Sequence, residues 1–309
     1  KGDKVLSARF GQFSHLWIEM CKKLHIEVDV VDVDWGSGTP HDEFEKILSQ
    51  DKNHDIKAVL VTHNETSTGV TNDVKATRDL LNKLNHPALL FVDGVSSIGS
   101  IKFEMDAWGV DVAVSGSQKG FMLPAGLAIS CVSQKALEIA KSANLPRAYF
   151  DYHDMLKINE TGYWPYTNPM PLLRGLREAL TMMHEEGLDN IYARHLFLAQ
   201  AVQKASAAWG LNLCAKDSSL YSNTVTAIMV PEGIDSTDIV KTAYNKYNTS
   251  FGGGLNKVAG KLFRIGHLGD LNSTMILGAI STAELAMYDV GIKFELGSGV
   301  AAAIKHLKA

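Results

Sequence analysis

Apolar and polar positions along the first half of the chain follow two alternating rhythms. Lys4 to Ala8 is short and β-prone. Phe13, Leu16, Trp17, Met20 and Leu24 then recur at the spacing of one helix face. Ile26, Val28, Val30, Val31 and Val33 mark a strand within His25 to Val33, and Asp42 to Leu48 returns to helical spacing. The runs Ile56 to Thr62 (IKAVLVT) and Ala88 to Val92 (ALLFV) are almost continuously apolar, as strands covered on both faces are. Asp73 to Asn85 reads as the helix between them, and Asp111 to Val114 and Gly126 to Cys131 as further strands. Strands separated by helices predict βαβ units, and so an α/β fold with a mainly parallel sheet flanked by helices.

The rhythm breaks over residues 144–169. Pro146, Pro165 and Pro169 fall there with Tyr149, Phe150, Tyr152, Tyr163, Trp164 and Tyr166, which predicts a long irregular segment at a functional site or an interface. Helices follow at Met170 to Glu186 and Asn190 to Ala208. Beyond them, strands at Thr224 to Val230 and Lys261 to Ile265 mix with helices at Thr237 to Lys246 and Thr274 to Val290. This α+β pattern places a domain boundary near Gly187, with a large domain over 1–186 and a smaller C-terminal domain over 187–309.

Composition narrows the function classes. A formal net charge of −4 argues against a general nucleic-acid binder, and no apolar run is long enough to span a membrane. Three cysteines, Cys21, Cys131 and Cys214, are no disulfide framework and point to a reducing compartment such as the cytoplasm. Cys131 and Cys214 sit in apolar, strand-like surroundings and are expected in the core. The C-terminus His306-Leu307-Lys308-Ala309 is not a peroxisomal S-K-L address. There is no G-x-x-x-x-G-K-[ST], no H-E-x-x-H and no zinc-spaced Cys/His pair, so no metal ligand is assigned.

Three strand ends carry polar residues: His63-Asn64-Glu65-Thr66, Asp93, and Ser115-Gly116-Ser117-Gln118-Lys119. Ligands of open α/β sheets bind beyond such ends. Asp93 alone also reads as a turn residue, and Lys119 alone as an exposed loop lysine. Together they suggest a pyridoxal phosphate site, which needs an amine for the cofactor aldehyde and an acid for its ring nitrogen. Ser115, Ser117 and Gln118 are candidate phosphate donors. Arg264 lies inside an apolar strand pattern, where a guanidinium suits a carboxylate partner, either a substrate or an acid at a domain interface. His63 and His267, near the same ends, read as structural histidines.

VDGVSSIGS followed by MDAWGVDVAVSGSQKGFMLPAGLAI closely resembles class V (fold type I) pyridoxal phosphate-dependent aminotransferases, in particular the serine–glyoxylate and alanine–glyoxylate branch. HNETSTGVTND, YWPYT, SNTVTAIMVP, GLNKVAGKLFRIGHLG and GSGVAAA extend the resemblance over essentially the whole chain. It implies Lys119 as the Schiff-base lysine, Asp93 on the pyridine nitrogen and Val95 on the ring face. Thr66 would lie at the phenolic oxygen, with Gln118 and Ser117 near the phosphate and Arg264 on the substrate carboxylate. Thr167, in YWPYT, would be donated to the partner's site in a homodimer, while Tyr163, Trp164 and Tyr166 compete for the family's tyrosine. The implied reaction is a ping-pong transfer from L-serine to glyoxylate. Alanine–glyoxylate or serine–pyruvate transfer, a class V lyase or desulfurase, and an inactive fragment are the alternatives. Family members carry the opening Gly-Asp-Lys after on the order of 80 residues, so the resemblance implies that the N-terminal portion of the large domain is absent.

Overall fold

The computed structural model describes residues 2–309. Its first strand, β1 (Lys4–Arg9), leads through helix α1 (Gln12–Lys23) to β2 (Glu27–Asp32). Helix α2 (His41–Gln50) and β3 (Ile56–Thr62) follow, then a small hairpin of β4 (Asn64–Glu65) and β5 (Val70–Thr71). Next come α3 (Val74–Lys83), β6 (Leu89–Asp93), β7 (Val112–Gly116), β8 (Ala128–Val132) and the short helix α4 (Gln134–Ala140). The main sheet has six strands in the order β2-β1-β3-β6-β7-β8, parallel throughout except for the antiparallel last pair.

The apolar runs are continuous because both faces of this sheet are covered. Leu6, Ala8, Val59, Val61, Leu90 and Val92 meet Phe44 and Leu48 of α2 and Val74 and Leu81 of α3. Their neighbours in sequence, Val5, Ala58, Leu60 and Leu89, point the other way to Trp17 and Cys21 of α1 and Ala136 of α4. A side-chain period of two with apolar residues at every position therefore fills two cores. Cys131 departs from expectation, since it is exposed. It lies in β8, the edge strand, none of whose residues is buried.

The segment 144–169 is not irregular throughout. It contains helix α5 (Tyr152–Asn159), begun by Asp151, whose side chain accepts from the His153 and Asp154 amides. Prolines and aromatics masked this N-cap signal in the sequence. No residue of α5 is buried.

Helix α6 (Met170–Glu186) runs into α7 (Leu188–Ala208) through Gly187, which has φ 82. Beyond lie β9 (Val225–Met229), α8 (Ser236–Tyr247), β10 (Gly252–Gly253), β11 (Leu262–Gly266), α9 (Ser273–Asp289) and α10 (Ser298–Leu307). The three strands form an antiparallel sheet in the order β10-β11-β9. Leu198, Val202 and Ala205 of α7, Ile239 of α8, Phe263 and Ile265 of β11, Ile276, Ile280 and Ala283 of α9 and Ala303 of α10 share one core. That core is separate from the two against the large sheet.

Candidate active site

Strand order brings the three polar strand ends side by side. In the parallel register Thr62 of β3 pairs with Asp93 of β6, and Asp93 pairs with Val114 of β7. The His63 amide continues the ladder to the Asp93 carbonyl, and the Gly94 amide reaches the Val114 carbonyl. A site at the carboxyl edge of these strands follows from the register.

Asp93 Oδ1 accepts from the Val95 amide at 2.9 Å, and its other oxygen has no hydrogen-bond partner among the described residues. Burial pushes its pKa up from 3.8 to about 6; the Val95 amide and the Lys119 charge work against that rise, while Glu65 adds to it. Lys119 follows β7 on a loop strung around Ser117. The Ser117 amide donates to the Leu127 carbonyl, and the Leu123 amide to the Ser117 carbonyl. Gly120 lets this loop press against the turn after Asp93, because a Cβ there would lie 2.2 Å from the Ile98 carbonyl oxygen. The Lys119 amine is half-buried and has no hydrogen-bond partner among the described residues. Burial lowers its pKa, the Arg264 charge lowers it further, and Asp93 offsets part of this. Such an amine carries its proton less firmly than a surface lysine and can act as nucleophile and base.

Arg264 reaches the site from β11. Its Nε donates to the Gly253 carbonyl and its Nη1 to the Thr66 carbonyl, both at 3.0 Å. Gly252, paired with Arg264 across the strands, leaves room for the flat guanidinium, since a Cβ would lie 3.1 Å from Nε. Burial works against the arginine charge, and Glu65 offsets part of that cost.

Thr66 and Val95 stand half-buried beside this group. The Thr66 hydroxyl donates to Ser96 Oγ at 2.7 Å, and Asn64 Nδ2 donates to Ser96 Oγ and Thr224 Oγ1. Ser96 and Thr224 were not singled out from the sequence, and Asn64 only as part of the polar stretch after β3. Their hydroxyl and amide partners come from β4, the turn after β6 and the start of β9, and no local motif announces such a meeting.

The remaining predicted ligands differ in their surroundings. The buried Ser117 hydroxyl donates to the Pro124 carbonyl at 2.8 Å and accepts from the Leu127 amide at 3.1 Å. Its one proton is spent closing the lysine loop, so it cannot donate to a phosphate. Ser115 Oγ, at the end of β7, is instead buried without a partner. Thr167 is exposed on the segment before α6. Gln118 is exposed beside Lys119. His63 and His267 are structural, both buried and pushed down to about 4 by desolvation. His63 Nδ1 meets Ser97 Oγ, with Phe103 and Trp108 around the ring. His267 lies between the Asn223 carbonyl and Thr226 Oγ1.

An unpaired amine, a carboxylate with a free oxygen, an orphaned hydroxyl and an arginine with free N–H groups are thus gathered at one sheet edge. The amine suits an aldehyde, the carboxylate a protonated ring nitrogen, and the donors suit anionic oxygens; these residues fit pyridoxal phosphate. The family model of the class V aminotransferases matches residues 1–254. The chain belongs to that family. It is a pyridoxal phosphate-dependent aminotransferase. A serine–glyoxylate aminotransferase of Hyphomicrobium methylovorum is 59% identical over 307 residues, 99% of this chain and 76% of the relative. An L-aspartate–glyoxylate aminotransferase of Paracoccus denitrificans is 54% identical over 311 residues, 99% of this chain and 78% of the relative. The crystal structure of pyridoxamine–pyruvate aminotransferase from Mesorhizobium loti superposes with a TM-score of 0.91 at 28% identity, covering 99% of this chain and 78% of that one. No helix among the described residues is long and apolar enough to cross a membrane.

Proposed function

We propose that this aminotransferase carries the amino group of L-serine to glyoxylate, leaving hydroxypyruvate and giving glycine. The observation that carries the reading is Arg264, held by two backbone carbonyls beside Lys119 and Asp93 with its remaining N–H groups free for a substrate carboxylate. Both amino donors and 2-oxo acids bring that group, so one arginine serves both half-reactions. The relative from Hyphomicrobium methylovorum supports serine and glyoxylate as the pair.

When bound, pyridoxal phosphate supplies an electron sink that lets the substrate Cα–H bond break. Lys119 Nζ anchors the cofactor, then takes the proton from Cα as general base and returns it as general acid. Asp93 holds the proton on the ring nitrogen, with the Val95 amide fixing its other oxygen. Val95 would pack on the ring face, Thr66 would lie by the phenolic oxygen, and Gln118 and Ser115 would serve the phosphate. Ser117 is left out of this set, for the reason given above.

Thr167 has a place in the same scheme if a second copy receives it. Around it Tyr149, Phe150, Tyr163 and Trp164 are exposed, an apolar surface that suits a homodimer. The separate core built by α7–α10 supports a division into a large domain to residue 186 and a small one from 187. The free thiols Cys21, Cys131 and Cys214 support a reducing, cytoplasmic setting.

The test is a panel of L-serine, L-alanine, L-asparagine and L-aspartate assayed with glyoxylate. L-serine is expected to give the highest kcat/KM, with hydroxypyruvate and glycine formed one to one. A higher value for L-aspartate or L-alanine overturns the donor. Product formed without glyoxylate overturns transamination in favour of a lyase or desulfurase.

A further inference from the structure

Glu65 is fully buried, and among the described residues no cation forms an ion pair with it. An ionised carboxylate in such a place is costly unless donors surround it. Here they come from the start of α1: Oε2 accepts from the Phe13 amide at 3.1 Å and the Ser14 amide at 3.0 Å. Oε1 accepts from the Ser67 amide at 3.2 Å and the Ser67 hydroxyl at 2.6 Å. The positive end of the helix and the charge-assisted bonds together offset the burial. The backbone is shaped around this contact, because a Cβ on Gly11 would lie 2.2 Å from Glu65 Cδ.

The residues on either side of Glu65 face the site. Asn64 is tied to Ser96 and Thr224. The Thr66 hydroxyl bonds Ser96, and the Thr66 carbonyl accepts from Arg264 Nη1. Ser67 returns to α1, accepting from the Gln12 amide at 2.9 Å. A carbonyl can aim a guanidinium only if the carbonyl itself is held. We infer that Glu65 is a positioning residue for substrate: by locking the turn after β4 to the start of α1, it fixes the Thr66 carbonyl and through it the Arg264 guanidinium. Two of the five guanidinium N–H groups are then used on backbone, leaving the rest to meet a carboxylate from one direction. The inference rests on the assignment of the substrate carboxylate to Arg264.

Position and charge make opposite demands, which makes the role testable. A purely electrostatic Glu65 would repel a substrate carboxylate, so its loss would tighten binding. A positioning Glu65 would loosen binding when lost, because three amides and a hydroxyl would no longer be gathered by one charge. The experiment is Glu65→Gln in the holoenzyme, with KM for L-serine and glyoxylate, kcat, and the calorimetric Kd of propionate, a carboxylate without a reacting group. Both KM values and the propionate Kd are expected to rise about tenfold, with kcat changed much less, as when binding common to ground and transition state is lost. Ser67→Ala, which removes one donor to Oε1, should give a smaller rise of the same kind and serves if Glu65→Gln does not fold. Glu284→Gln, a buried glutamate capping another helix away from the site, should leave both KM values and the propionate Kd unchanged. Unchanged or lowered KM and Kd values in both the Glu65 and Ser67 variants overturn the inference while Arg264→Lys still raises them. If Arg264→Lys leaves them unchanged, the carboxylate assignment fails, and the inference falls with it.

Discussion

Two helices of this enzyme begin on a buried glutamate supplied by a distant part of the chain. At α1 the donors Phe13 N and Ser14 N meet Glu65, 51 residues beyond Ser14. At α10 the amides of Gly297, Gly299 and Val300 meet Glu284, 15 residues before Gly299. Both carboxylates are buried, at 0% and 3% exposure, so the comparison is between like groups in like roles. Glycine makes room in each case. A Cβ on Gly11 would strike Glu65, and a Cβ on Gly299 would lie 2.3 Å from Trp209 Nε1, which itself donates to Glu284 at 2.8 Å. What differs is the next layer. Around Glu284 lie Trp209 and the apolar core of α7, α9 and α10. Around Glu65 lie a turn that holds Arg264 and a field that reaches Asp93. The same helix cap is thus a matter of stability at one end of the molecule and of substrate geometry at the other.

The contrast can be broken hardest at Lys119. Lys119→Ala removes the only proposed nucleophile and base, and kcat is expected to fall by about 10⁴-fold or more with loss of the near-visible cofactor absorbance. An unchanged spectrum would remove Lys119 from the scheme. Arg264→Ala should lower kcat/KM by about 10²-fold for amino and oxo acid alike, read from steady-state kinetics. A fall for only one substrate would separate the two carboxylates that the scheme gives to one arginine.

Asp93→Asn should reduce kcat by about 10²-fold, because the ring nitrogen loses the acid that keeps it protonated. The same variant tests the buried charge. Asp93 binds its proton more tightly in the folded cofactor-free protein than in the unfolded chain, with the pKa raised from 3.8 to about 6. Its neutral form therefore contributes stability that is full below about pH 4 and lost as the pH rises through about 6. That contribution is on the order of 3 kcal/mol. Denaturation of the cofactor-free protein across this window should show the loss, and Asp93→Asn should flatten it.

The smallest effect on catalysis belongs to the second helix cap. Glu284→Gln should cost about 2 kcal/mol of stability, measured as a lower Tm or denaturant midpoint, with kcat and KM held. A kinetic change here would mean that the α10 cap communicates with the site after all, and the comparison would lose its point.

The large sheet was legible because its burial is one-dimensional information. IKAVLVT and ALLFV are apolar at successive positions only when both faces are covered, and the two cores confirm the cause. Helix α5 was obscured because Pro146 and Pro165 and the aromatics around them outweighed a single Asp151 cap. Helix α10 and the β4–β5 hairpin were not anticipated. One begins on backbone amides satisfied by Glu284, and the other consists of two-residue strands that show no period. Cys131 looked internal from its neighbours in sequence, yet it is exposed in the edge strand β8.

The site divides along the same line. Lys119 and Asp93 could be picked from sequence only as a pair, since each alone also reads as a loop or turn residue, and Arg264 because a guanidinium inside an apolar strand pattern is costly without a partner. Their mutual approach could not, since it depends on β3, β6 and β7 being neighbours and on β11 arriving from another core. Nor could the fate of the Ser117 proton, which is spent seven residues away on the Pro124 carbonyl, in the loop that carries the lysine. Periodicity and residue type report what each segment must bury or expose. Which buried groups find each other is decided by strand order and by hydrogen bonds across long stretches of chain, and Glu65, unremarkable in HNETSTG, owes its place entirely to them.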